Sequence, residues 1–384
     1  MAMATVAVKP EIIRWALERS GRSKQMLAPK FPKLELWEKG EAYPTLRQLE
    51  ELSRKTYTPL GYFFLSEPPE EKLPVPVFRT LWDKSLIHPS PDLLETVQTM
   101  QRRQDWMREY LLDRGQLPLP FISSANTNNS VTEVADKIRE VLGLEPDWAR
   151  HERKWEDALR TLRNAIDDAG ILIVANGIVG NNTHRKLDVD EFRGFVLCDE
   201  YAPLIFVNSA DVKAAQMFTI AHELAHLWLG QGGVFDLHNM QPADSKIEIF
   251  CNKIAAEFLV PEEIFLKQWP KAQSNQEPYQ SLARYFKVSP LVTARRALDL
   301  HLIDKQTFFD FYDAYISEAK YKTAKQKGGG DFYTNQDMRI GKRFAVTIIR
   351  AAKEGRLLYR DAYQLTGLNG ATFDRYAKSL GGTN

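Results

Sequence analysis

The stretch FTIAHELAHLWLG, residues 218–230, sets two histidines four positions apart with a glutamate beside the first, inside an otherwise apolar, helix-forming run. On an α-helix, positions four apart share a face, so His222 and His226 can direct two imidazole nitrogens at one ion. Glu223 projects about 100° round the helix from His222, which suits action on a water beside the ion rather than ligation. The competing reading is a core helix whose two histidines are hydrogen-bonded internally. From Thr219 to Trp228 there is no proline and no charge except Glu223, as a buried metal helix requires. In a chain with seven histidines the pattern arises by chance on the order of once in a hundred.

A catalytic zinc takes three protein ligands and leaves a fourth position for water. The extended pattern with a third histidine fails, because Leu229 stands where its glycine belongs and Gly232 where its histidine belongs. The next helical run, EIFCNKIAAEFLVP at 248–261, supplies Glu248 on a segment whose Ile254, Phe258 and Leu259 can pack it against the first helix. Glu257, Cys251 and His238 are weaker candidates, and Cys251 reads better as a small buried residue.

Before the histidines, ILIVANGIVG (171–180), FRGFVLCDE (192–200) and APLIFVNSA (202–210) are short, rich in β-branched and aromatic residues and bounded by turn formers. They predict three strands of a small sheet directly before the metal helix. Amphipathic periodicity predicts helices at 91–115, 131–144 and 155–170 ahead of the strands, and at 245–260, 281–303 and 305–321 beyond the metal helix. The fold class expected is α+β: a helical N-terminal domain, a small sheet with metal-binding helices, and helical C-terminal additions.

H-E-x-x-H followed by E-x-x-x-N-x-x-A-A-x-x-L-x-P resembles the ImmA/IrrE family of metallopeptidases. The matching positions are His222, Glu223, His226, Glu248, Asn252, Ala255, Ala256, Leu259 and Pro261; Cys251 stands where the family usually has alanine. The resemblance implies a zincin-like core holding Zn2+, with Mn2+ as the other metal to consider, on His222, His226 and Glu248. It implies Glu223 as the general base for attack of water on a peptide carbonyl. It further implies a DNA-binding repressor or antitoxin-like regulator encoded nearby as the substrate. Tyr201, His238 and His301 are the candidates for an additional oxyanion donor. The alternative is an antitoxin or transcriptional regulator paired with a toxin, its metal structural or subsidiary.

The N-terminal stretch 23–64 resembles the repressor (XRE-type) helix-turn-helix, with Leu27, Ala28, Trp37, Glu38, Gly40, Pro44 and Leu49 in family-like places. Only eight residues separate Ala28 from Trp37, and Pro29 and Pro32 fall among them, where they break a recognition helix. A degenerate, protein-docking domain is therefore expected, although Lys30, Lys33 and Lys39 can still meet phosphates. Residues 281–303 show full helix-turn-helix spacing with a basic pair, Arg295 and Arg296. The domains expected are 1–66 repressor-like, 67–90 a proline-rich connector, 91–270 the peptidase core, 271–322 a second helical domain, and 323–384 a glycine hinge with a helical extension.

Fifty-one basic against fifty acidic residues give a net charge of +1, which excludes a chain-wide field for nucleic acid or anionic lipid. Two cysteines do not make a disulfide framework. With no long apolar run and no basic-then-apolar start, the expectation is a cytoplasmic protein without membrane spans.

Overall fold

Residues 4–71, 89–231, 233–235, 246–323 and 332–381 are described by the computed structural model of the chain. They divide into two compact units, residues up to 71 with 89–98 in the first and residues from 99 onward in the second. The glycine hinge at 328–330, His238 and most of the connector lie outside the described residues.

In the first unit Pro10 opens α1 (Pro10–Arg19), its fixed φ suiting a first helical turn. Ser23 caps α2 (Lys24–Leu27) by accepting from the Met26 N–H. Pro29 and Pro32 occupy the following connection, so α3 (Leu34–Lys39) is only six residues long before Gly40, at φ 74°, ends it. A capping box between Thr45 and Gln48 starts α4 (Leu46–Thr56). Ile12, Trp37, Leu49, Leu52 and Phe63 fill the core of this unit. Lys30 is ion-paired with Glu51, and Lys24 Nζ lies 2.8 Å from Glu38.

The helix α5 (Pro91–Asp113) begins in the first unit and ends in the second. The second continues with α6 (Val131–Leu142) and α7 (Trp155–Asp168), each burying one apolar stripe. Strands β1 (Leu172–Asn176), β2 (Ile178–Val179), β3 (Asn182–Lys186), β4 (Gly194–Leu197) and β5 (Leu204–Asn208) follow. After α8 (Lys213–Leu229) comes β6 (Gly233–Phe235). Four strands form one sheet in the order β1-β5-β4-β6, with β1 parallel to β5 and the other pairs antiparallel. All three expected strands are present, and the α+β class is as expected.

The chain has more strands than the apolar runs suggested: β6 joins the sheet, and β2 with β3 forms a separate two-stranded one. Gly177 splits the first run because a β-carbon there would come within 2.9 Å of the Ala210 nitrogen, so the chain turns away from β1. Its continuation, β2, pairs with β3, whose sequence NTHRK is polar and mostly exposed and gives no apolar alternation.

Helices then succeed one another: α9 (Lys246–Leu259), α10 (Glu262–Gln273), α11 (Pro278–Phe286), α12 (Pro290–Asp299) and α13 (Lys305–Thr323). The chain closes with α14 (Phe332–Ile340), α15 (Lys342–Lys353), α16 (Tyr359–Thr366) and α17 (Gly370–Gly381). α14 lies against β1, the sheet's outer strand on the side away from β6. Gly341 makes that approach possible: it has φ 87°, and a β-carbon there would lie 3.0 Å from the Ile173 carbonyl oxygen. Arg103, buried on α5, donates to the Leu365 and Arg339 carbonyls, both at 2.9 Å. No helix among the described residues is long and apolar enough to cross a membrane.

Candidate metal centre

Helix α8 is buried from Gln216 to Trp228, so every polar group on it within that span must be satisfied inside the protein. Gly230, at φ 66°, ends it, and a β-carbon there would lie 2.1 Å from Ser123 Oγ. The segment around Ser123 takes up the helix's last carbonyls: Ser123 N–H donates to Leu227 and Ala125 N–H to Trp228, at 3.0 and 2.9 Å. Phe121 stacks on Trp228 with ring centroids 4.6 Å apart. Both the end of the helix and the histidine one turn before it are thereby fixed.

Helix α9 packs on α8, with its own Ile254, Ala255 and Phe258 fully buried, and brings Glu248 over the two histidines. His226 Nε2 and His222 Nε2 are 2.9 Å apart, and each lies 3.1 Å from an oxygen of Glu248. One ligand atom from each of the three residues falls within 4.8 Å of the others. Tetrahedral zinc bonds of about 2.1 Å place neighbouring ligand atoms about 3.4 Å apart, so this triangle is close to the size of one face of a zinc site. His222 Nδ1 lies 3.0 Å from Asn252 Oδ1, one turn along from Glu248. With the proton on Nδ1 donated to Asn252, Nε2 is left as the lone-pair nitrogen facing the centre.

Glu223 is fully buried, and neither of its carboxylate oxygens has a hydrogen-bond donor among the described residues. Burial, reinforced by the charge of Glu248, pushes its carboxyl well above the usual range. A buried carboxylate with no protein donor is costly unless a ligand completes the site. Three donors that suit zinc and an orphaned carboxylate beside them therefore fit a metal and its water. Burial holds His222 down at about 4, against the pull of Glu248. Burial also raises the Glu248 carboxyl, but the two imidazoles beside it outweigh burial and bring it down to about 2. A neutral histidine and an ionised glutamate are the forms that bind metal.

Strand β4 passes directly beneath Glu223. At Gly194 a β-carbon would lie 2.6 Å from Thr219 Cγ2, 2.9 Å from the Phe206 carbonyl oxygen and 3.3 Å from Glu223 Oε1. Neither this glycine nor the bond from Asn252 follows from the sequence; G-F-V-L reads only as a strand, and an asparagine on a helix is silent about its partner.

The other candidates fall elsewhere. Glu257 forms a buried ion pair with Arg296, and its Oε1 accepts from the Glu262 N–H at 3.2 Å, which caps α10. Tyr201 belongs to the turn between β4 and β5, with the Arg108 guanidinium 5.8 Å over its ring. His301 follows α12 in a left-handed conformation, φ 57°, and is exposed. Cys251 is fully buried with its thiol raised well above its ordinary value by burial. Burial likewise lifts Cys198 to about 12, and its Sγ lies 3.9 Å from the His226 carbonyl, to which it donates.

No curated protein matches the chain. Residues 340–379, from the end of α14 to α17, match a domain family of unknown function. Residues 166–298, which hold the sheet, α8 and α9, match the IrrE N-terminal-like domain of peptidase family M78, so over this segment the chain is similar to metallopeptidases of the ImmA/IrrE type.

Proposed function

We propose that the chain is a metal-dependent endopeptidase in which His222, His226 and Glu248 hold Zn2+ or Mn2+ and Glu223 is the general base. The observation that carries this reading is the buried triangle of ligand atoms with the donor-less Glu223 carboxylate beside it. The metal, when bound, supplies Lewis acidity toward a peptide carbonyl and toward water. Asn252 holds the His222 ring, and Glu248 stays ionised between the two imidazoles. Glu223 accepts a proton from the attacking water as the O–C bond forms, then delivers it to the amine nitrogen as the C–N bond breaks. Burial makes Glu223 a strong proton acceptor, because its neutral form is favoured there.

The substrate fitting this reading is a single regulatory protein, a repressor or antitoxin-like regulator encoded nearby, captured with help from the N-terminal unit. The short α3, and Lys30 engaged with Glu51, favour protein docking over groove binding for that unit. The test is co-expression of the chain, and separately of its Glu223→Gln form, with each product of the adjacent genes, followed by intact mass. Cleavage at one site by the wild type alone supports the reading. Stable, uncut co-purification with both forms replaces it with an antitoxin-like binding protein whose metal is structural.

A further inference from the structure

Three places in the described chain carry two helices in a helix-turn-helix sequence, and they differ in what the second helix shows to solvent. To read duplex DNA, that helix must be long enough to lie in a major groove with its outer face free. α3 has six residues, less than two turns. α12 has ten, but seven are buried, and its Arg296 is consumed by Glu257. α17 spans twelve residues, and Ala371, Asp374, Arg375, Lys378 and Ser379 on it are exposed, while Phe373, Tyr376 and Ala377 point inward.

The remainder of the module matches that role. Gly367, at φ 69°, ends α16 with its N–H on the Tyr363 carbonyl at 2.8 Å. Leu368 is buried in the turn and the Asn369 carbonyl accepts from Thr372 N–H at 3.0 Å, giving a three-residue turn with a glycine, as helix-turn-helix units have. Phe373 packs against Tyr359 and Tyr363, with centroids at 6.1 and 5.3 Å, and locks α17 across α16. The tip of the β2–β3 hairpin meets this turn: Asn181 Nδ2 donates to the Gly367 carbonyl at 2.9 Å. Along β3, His184 and Lys186 are exposed. Charge follows the same pattern, since residues 340–381 hold eight lysines and arginines against three acidic residues in a chain whose net charge is +1. Seven of those eight cations are exposed.

From this geometry we infer that α15 to α17 form a duplex-DNA-binding module, with α17 in the major groove and the β2–β3 hairpin beside the backbone. Arg375 and Lys378 meet phosphates or base edges, and Asp374 can accept from a cytosine amino group. This assignment does not depend on the peptidase reading.

The test is fluorescence anisotropy of a labelled mixed-sequence duplex of about three helical turns, ~30 base pairs, titrated with the full-length chain over a range of salt concentrations. Micromolar binding at low salt is expected, and Arg375→Ala with Lys378→Ala together should weaken it at least about tenfold and reduce the salt slope by about 1.8. Both substitutions are at exposed positions, and an unchanged melting temperature separates lost contact from lost fold. Lys33→Ala with Lys39→Ala, in the N-terminal unit, should leave binding intact. No anisotropy change at about 10⁻⁴ M protein in low salt overturns the inference. So does binding that survives the α17 double substitution, or that is lost instead with the N-terminal one.

Discussion

Gly194 has no room for a side chain, since the nearest neighbours of an added β-carbon are Thr219, the Phe206 carbonyl and Glu223. Gly194→Ala is therefore expected to cost about 1–3 kcal/mol of stability, read from denaturant midpoints, and to slow cleavage by displacing the general base. Asn252→Ala should leave the fold intact while lowering metal affinity about 10–100-fold in a chelator competition, because only the orientation of His222 is lost. The pH dependence of the metal-free protein follows from the same residues. His222 titrates at about 4 in the fold, below its ordinary value, so between those two values the unfolded chain binds the proton and the folded one does not. Glu248, at about 2, is likewise depressed and continues the loss below the ordinary glutamate range. Both terms make stability fall as pH falls, but only the His222 term acts between pH 5 and 7, where the raised Glu223 carboxyl opposes it, so the gain in urea midpoint of the metal-free protein from pH 5 to pH 7 should be larger in the wild type than in His222→Gln. His222 and His226 could be read together because positions four apart on a helix share a face, with Glu223 beside them, whereas Glu248, on the next helix, was singled out by the motif resemblance. Gly194 and the role of Asn252 were not legible, because contacts between a strand and a helix, or between two helices, have no local spacing to betray them.

At the scale of elements, α12 shows how a motif can be present and yet be spent on packing. Its basic pair is divided: Arg295 Nε lies 2.9 Å from Asp299 on the surface, while Arg296 is buried on Glu257. Arg296→Met should destabilise the chain by about 3–5 kcal/mol, measured by chemical denaturation, because Glu257 would be left buried and uncompensated. A near-neutral result would show that Glu257 takes a proton and needs no partner. The helix and its turn could be read from Leu282, Ala283, Phe286 and Ser289, but the burial of its outward side could not. That burial depends on α9, whose C-terminal carbonyls at Glu257 and Phe258 are held by Arg139 from α6, more than a hundred residues earlier. The polar strand β3 escaped for the opposite reason, since exposed hairpins need no apolar alternation.

Across the second unit, the C-terminal helices lie against the sheet that precedes the metal helix. α14 covers β1, Arg103 ties α5 to the Leu365 and Arg339 carbonyls, and Phe344 meets the Trp106 ring edge-on at 5.8 Å. A chain ending at residue 323 should expose that strand edge and self-associate, and light scattering after size exclusion is the measurement; a monodisperse truncated protein would mean that the sheet does not need its cover. The glycine-rich break reads as a hinge before a helical extension, and which surface that extension packs on is fixed by tertiary shape, which no window of sequence contains. The two thiols, Cys251 buried and Cys198 partly so, offer a practical consequence. Maleimide dyes react with thiolates, and Cys198 and Cys251 are both held protonated far above neutral pH. A cysteine placed at exposed Ser379 would then be the position that takes the dye at neutral pH, so the chain can be labelled for distance measurements without first removing its own cysteines.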